Sequence, residues 1–175
     1  TLLISLGLVV LVVFIFLQGW RGTLIPAFAV PVSIVGAFIA FPFFGFSINT
    51  ICLMGLVLAI GLVVDDAIVV VEAVKNHISN GEKPLPATIA AMREVSGPIV
   101  STALVISCVF VPTLLLPGVS GKLFEQFAVT IGMSIIISAF CALSLSPALS
   151  SRLLKAGNSD TIWLLGPFFN IFNKG

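Results

Sequence analysis

Gly61-Leu62-Val63-Val64-Asp65-Asp66-Ala67-Ile68-Val69-Val70-Val71-Glu72 sets two adjacent carboxylates inside an otherwise aliphatic segment. Upstream, 22–64 is free of charge over 43 positions. A helix needs about 20 apolar residues to cross a hydrocarbon core of roughly 30 Å. That run therefore holds two spans and a hairpin, broken at 41–49 where Pro42, Gly45, Ser47 and Asn49 cluster.

The whole chain follows the same rule. Of its 175 residues, 59% are hydrophobic and 9% charged, against about 45–50% and about 25% in a soluble domain. Too little charge is present to cover a water-facing surface. This composition excludes a soluble enzyme and a disordered linker. A net charge of +1 without a basic patch excludes a nucleic-acid partner. The expected fold is an all-α integral membrane bundle of five transmembrane helices, at about 1–18, 24–41, 48–71, 98–116 and 127–149, occupying 1–155. Pro26, Pro31 and Pro112 fall inside spans, where neighbouring helices can satisfy the freed carbonyls. The residues 156–175 carry Ile162, Trp163, Leu165, Phe169 and Phe172 at helical spacing and are too short to span. They predict an amphipathic helix on the cytoplasmic membrane surface. Thr1 opens directly into an apolar run with no basic n-region or cleavage site, so the sequence reads as a piece of something longer.

Charge asymmetry orients the bundle. Arg21, Lys75, Lys83, Arg93, Arg152, Lys155 and Lys174 fall on one side and Lys122 alone on the other. The basic side is expected to be cytoplasmic. Cys52, Cys108 and Cys141 lie in apolar stretches without metal-ligand spacing. They read as free buried thiols, and no metal site is expected. His77, a single histidine beside Lys75, reads as a solvated loop residue.

Asp66 lies nine residues, or about 13–14 Å, above Lys75, close to mid-bilayer. An acid there costs roughly 2.5–3.5 kcal/mol on insertion scales. Burial and mutual repulsion disfavour the charged forms, so Asp65 and Asp66 should take up and release protons as a coupled unit. All eight Lys and Arg fall in predicted loops or at span ends, so the counter-ion is expected from outside the chain. Gly55, Ala59, Leu62 and Asp66 form a stripe that would let another helix approach closely; Asp65, Ile68 and Glu72 share a neighbouring face. Glu72, Ser101 and Thr102 are candidates for a secondary relay, although Glu72 also suits an interfacial charge. Ser107 and the stripe Ser134, Ser138, Ala142 read as helix packing through small residues, with relay hydroxyls as the alternative. An intramembrane aspartyl protease is disfavoured, since its two acids converge from different helices.

Several motifs carry a resemblance. Phe16-Leu17-Gln18-Gly19-Trp20-Arg21-Gly22-Thr23-Leu24-Ile25-Pro26 and Val30-Pro31-Val32-Ser33 resemble the second and third helices of resistance–nodulation–division (RND) transporters. Gly45-Phe46-Ser47-Ile48-Asn49-Thr50, followed by the acid-pair segment, is similar to their fourth. Met92-Arg93-Glu94-Val95-Ser96-Gly97-Pro98 and Ser146-Pro147-Ala148-Leu149 are similar to the fifth and sixth. The paired acids with their flanks point to the hydrophobe/amphiphile branch, of acriflavine-resistance type. Two positions depart from the usual pattern: Ile4 where many members carry an acid, and Ala73 where many carry Asn.

The resemblance implies a drug/proton antiporter of the bacterial inner membrane, homotrimeric, with twelve helices per protomer in two halves. It also implies periplasmic drug-binding insertions, a periplasmic adaptor and an outer-membrane channel. Asp65 and Asp66 match the paired proton-carrying acids, faced by an intramembrane lysine from the second half. By this reading the chain is the transmembrane part of the first half, without its first helix, with protons as coupling ion and no cofactor. The tail would be the surface helix joining the halves. The alternatives are an RND exporter of another cargo, lipid or metal, and a non-transporting assembly subunit.

Overall fold

The computed structural model describes residues 2–17, 19–45, 48–115 and 117–154. The expected surface helix at 156–175 lies outside the described residues.

Five α-helices make up the described chain: α1 (Leu2–Leu17), α2 (Trp20–Ala40), α3 (Thr50–Ser79), α4 (Pro84–Phe110) and α5 (Gly118–Leu153). Trp20–Ile39, Thr50–Ser79, Pro84–Leu115 and Gly121–Leu153 are long and apolar enough to cross a membrane, and Leu3–Leu17 is a shorter apolar helix. The chain is thus an all-α membrane bundle.

Three helices outrun their hydrophobic segments. The polar stretch 72–94, expected to be largely loop, is helix except for a turn at 80–83. No helix breaker precedes Asn80. There Gly81 takes φ 94°, a left-handed position that suits glycine. The Gly81 amide donates to the Ile78 carbonyl at 3.0 Å and the Glu82 amide to that of His77 at 3.3 Å. Pro84 then opens α4, where its missing N–H costs nothing. At the other end α4 stops at Phe110, and Pro112 lies in a 3-10 turn, Val111–Leu115, not inside the α-helix.

Neighbouring helices alternate in direction. Gly22, early in α2, lies against Lys75 and Val71, late in α3, while Ala37 and Phe41 pack with Cys52 and Leu56. Phe110, ending α4, meets Phe127 of α5 edge-on at 6.4 Å. Consequently α3 and α5 run parallel. Gly55 makes their contact close: a β-carbon there would stand 3.2 Å from Thr130 Cγ2 and 3.4 Å from the Phe127 carbonyl. Gly36 of α2 is tighter still, since a β-carbon there would stand 2.9 Å from Ile137 Cγ2 of α5. The core gathers Ile25, Val30, Ile60, Val70, Val71, Val74 and Ile131, each at most 1% exposed. This packing and the helical hydrogen bonds hold the bundle.

Polar groups tie the ends. Asn49 caps α3, accepting from the Cys52 amide at 2.9 Å, and donates its own amide to Gln126 of α5. At the opposite end Lys75 Nζ donates to the Leu17 carbonyl, a cation on the C-terminal carbonyls of α1. His77, expected to be solvated, sits in the last turn of α3 with Nδ1 3.0 Å from Glu82 Oε1 and Nε2 3.6 Å from Glu94 Oε2. The turn at 80–83 folds both acids back onto it. Among the described residues no cysteine pair forms a disulfide; Cys52 and Cys141 are buried, but Cys108 is exposed, because its face of α4 points out of the bundle.

Candidate functional site

The apolar sequence of α3 keeps it helical through the acid pair, and the helix separates the two carboxylates by about 100°. Asp66 is half-buried and turns toward α5, whereas Asp65 is exposed. Ser138 Oγ lies 3.2 Å from Asp66 Oδ2 and 3.3 Å from the Val63 carbonyl, so one hydroxyl proton serves both acceptors. Ser138 itself is 2% exposed. The Gly55 contact sets the parallel register that brings this serine to the height of the acid.

A cleft of about 160 Å³ opens beside the pair between α3, α4 and α5. Asp65, Asp66, Leu62 and Val69 line one wall, Pro98, Ile99, Thr102, Ala103 and Ile106 the other, with Ile135 at the back. The walls are mostly apolar. Among the described residues no cation pairs with Asp65 or Asp66, and no group of three His, Cys, Asp or Glu could hold a metal ion.

The candidate relay residues separate. Thr102 lines the acid cleft and donates its hydroxyl to the Ile99 carbonyl at 3.0 Å. Ser101 is exposed and is not part of that lining. Glu72 is exposed and belongs to a second cleft, with Val69, Lys75, Asn76 and Ser79, nearer the basic end. The stripe of Gly55, Ala59 and Asp66 does serve a close helix approach, and the approaching helix is α5. The contact missing from the sequence reading is that of Ser138, which reads there as helix packing with a relay hydroxyl as the alternative. Its signal was the four-residue spacing of hydroxyls on α5; what could not be read was their height relative to Asp66.

A bundle of long apolar helices with an acid pair midway along α3 has the architecture of an integral membrane protein. The model of the AcrB/AcrD/AcrF family matches residues 1–175, and the chain belongs to that family of RND transporters. It is 50% identical over 156 residues to multidrug resistance protein MdtC of Pectobacterium atrosepticum, covering 89% of this chain and 15% of that protein. MdtC of Cronobacter sakazakii is 49% identical over 160 residues, 91% of this chain and 16% of its own length. MdtC of Escherichia coli is 48% identical over 156 residues, 89% and 15%. The chain therefore spans about one-sixth of the curated relatives it matches.

Proposed function

We propose that this chain is the proton-translocating transmembrane part of a multidrug efflux pump, a drug/proton antiporter of the bacterial inner membrane. The reading rests chiefly on the split environment of the acid pair. Asp66 is held by Ser138 inside the bundle, while Asp65 is exposed on the wall of the α3–α4 cleft. A charge so placed at bilayer depth is costly unless neutralised by a proton or a cation. A lysine from the remaining half of the pump serves as that cation. Protonation removes its attraction to the pair and tilts α3 relative to its neighbours. Moving one charge through 100 mV supplies about 2.3 kcal/mol, enough to bias a two-state bundle substantially.

The name of the relatives supports drugs as cargo. The basic end, with Lys75, Arg93 and Arg152, is cytoplasmic. The complete pump works as a homotrimer with a periplasmic adaptor and an outer-membrane channel; protons are the coupling ion and no cofactor takes part. Asp65→Asn and Asp66→Asn, made separately in the full-length pump, should each abolish drug resistance at unchanged expression and trimer content. Near-normal resistance would defeat the proposal. Loss of trimer on a native gel would point instead to an assembly role for the acids.

A further inference from the structure

Below the acid pair, toward the basic end, the bundle is closed by Val70, Val71 and Val74, each fully buried. A proton that leaves Asp66 for the basic end through the interior of the bundle must pass this layer. The row of small residues on α5 crosses it. Thr130, Ser134, Ser138, Ala142, Ser146 and Ser150 recur at every fourth position, so each adjoins the next along a stripe that winds by about 40° per step around the helix. Each is at most 2% exposed.

The upper and lower parts of that row differ. Thr130 donates to the Gln126 carbonyl at 2.7 Å, Ser134 to the Thr130 carbonyl at 2.7 Å, and Ser138 to Asp66. Ser146 and Ser150 are 0% exposed, yet their hydroxyls have no partner. Neither makes the bond to the carbonyl four residues back that Ser134 makes. A buried hydroxyl without a protein partner takes up an internal water where space and a second polar group allow. Pro147 adds a third site, because it has no N–H to offer the carbonyl of Leu143, four residues earlier. From Ser138 the polar groups then follow at Leu143, Ser146 and Ser150, separated by about 7–8, 4–5 and 6 Å of helix rise. One or two waters bridge such gaps, and Ala142 leaves the longest of them unobstructed by a large side chain.

We propose that Ser146 and Ser150 continue the hydroxyl row from Asp66 and Ser138 to the cytoplasmic end of α5, holding the water chain through which the acid pair exchanges protons with the cytoplasm. The inference rests on the proton-coupled reading above. A proton leaving the Asp66 carboxyl is handed along by successive hydrogen bonds. Each water or hydroxyl accepts one proton and gives up another, and one proton appears at the far end for each that leaves the acid. Ser146 and Ser150 are positioning residues for this chain.

The test uses the full-length pump in proteoliposomes, with drug-coupled proton flux followed by a pH-sensitive dye. Ser146→Ala with Ser150→Ala should slow the flux about tenfold, as expected for losing a hydrogen-bonded step, and should leave the KM for drug unchanged. Ser146→Thr with Ser150→Thr, which keeps both hydroxyls, should restore it. Alanine suits a helix interior, and native-gel trimer content checks the fold. Wild-type flux in the double alanine variant would overturn the proposal, as would slow flux that threonine fails to rescue, which marks a packing role. Slowing by Val69→Phe without slowing by the alanine pair would overturn it too, placing the route along the outer α3–α4 clefts. Asp66→Asn separates the two levels: normal coupled flux there removes the proton-coupled reading itself, whatever the serines do.

Discussion

Ser138 and Asp66, 72 positions apart in sequence, meet across the α3–α5 interface at 3.2 Å, and Ser138 supplies the one hydroxyl contact of that carboxylate among the described residues. The serine is small enough for close helix packing and polar enough to bond an acid, two demands that leucine or alanine could not meet together. Ser138→Ala should leave the bundle folded and lower drug-coupled proton flux about tenfold, the worth of one hydrogen bond to an acid. Flux measured in proteoliposomes checks it; an unchanged rate would assign the serine to packing.

The parallel register depends on Gly55. Gly55→Leu forces a branched side chain into Thr130 and the Phe127 carbonyl and should destabilise the protein by about 1–3 kcal/mol. Gly132, in α5, has open space where its β-carbon would go, so Gly132→Ala should be neutral or slightly stabilising. Thermal unfolding of the detergent-solubilised pump distinguishes the two.

Gly36 and Ile137 should behave as a coupled pair. A β-carbon on Gly36 would stand 2.9 Å from Ile137 Cγ2, so Gly36→Ala should cost about 1–3 kcal/mol. Ile137→Ala removes the obstructing atoms, and the double variant should be more stable than the sum of the two single losses allows. A double-mutant cycle reads this directly; simple additivity would refute the contact.

Asn49→Ala removes the cap of α3 and its tie to Gln126 together. A lost N-cap costs about 0.5–2 kcal/mol. Asn49→Ser keeps the cap but is too short to reach Gln126, so it should fall between the two. Denaturant unfolding of the three proteins gives the order.

Lys75→Met should loosen the α1–α2 turn, since the Leu17 carbonyl loses its donor. Gly22→Ala, whose methyl would meet the flexible end of Lys75 at 3.0 Å, should be milder. Hydrogen exchange at 17–23 is the measurement, with faster exchange expected in the methionine variant.

The helical class and the acid pair were legible because both depend on local properties. Hydropathy marks what oil will accept, and an aspartate in an aliphatic run is conspicuous whatever surrounds it. The helix ends were less legible. Residues such as Glu72, Asn76 and His77 are polar yet extend α3 beyond its hydrophobic segment, since hydrogen bonding along a helix does not stop where the apolar run stops. What remained hidden was relational. The partnership of Ser138 needs the height of α5 against α3, which Gly55 sets. The difference between Ser101 and Thr102, adjacent in sequence, needs the rotation of α4. The same holds for His77, whose acids reach it only after the chain reverses.

The alternation of helix direction has an electrostatic consequence. Because α3 and α5 lie side by side and point the same way, their macrodipoles are aligned, with roughly half a positive charge at each N-terminus and half a negative charge at each C-terminus. Alone, the two would repel at both ends. The antiparallel helices α2 and α4 each pack against both of them, so the ends of the bundle form a checkerboard of opposite partial charges. The two helices that oppose the pair thus offset its end-to-end repulsion, a contribution of about 0.3–1 kcal/mol per terminus added to the direct packing of α3 on α5.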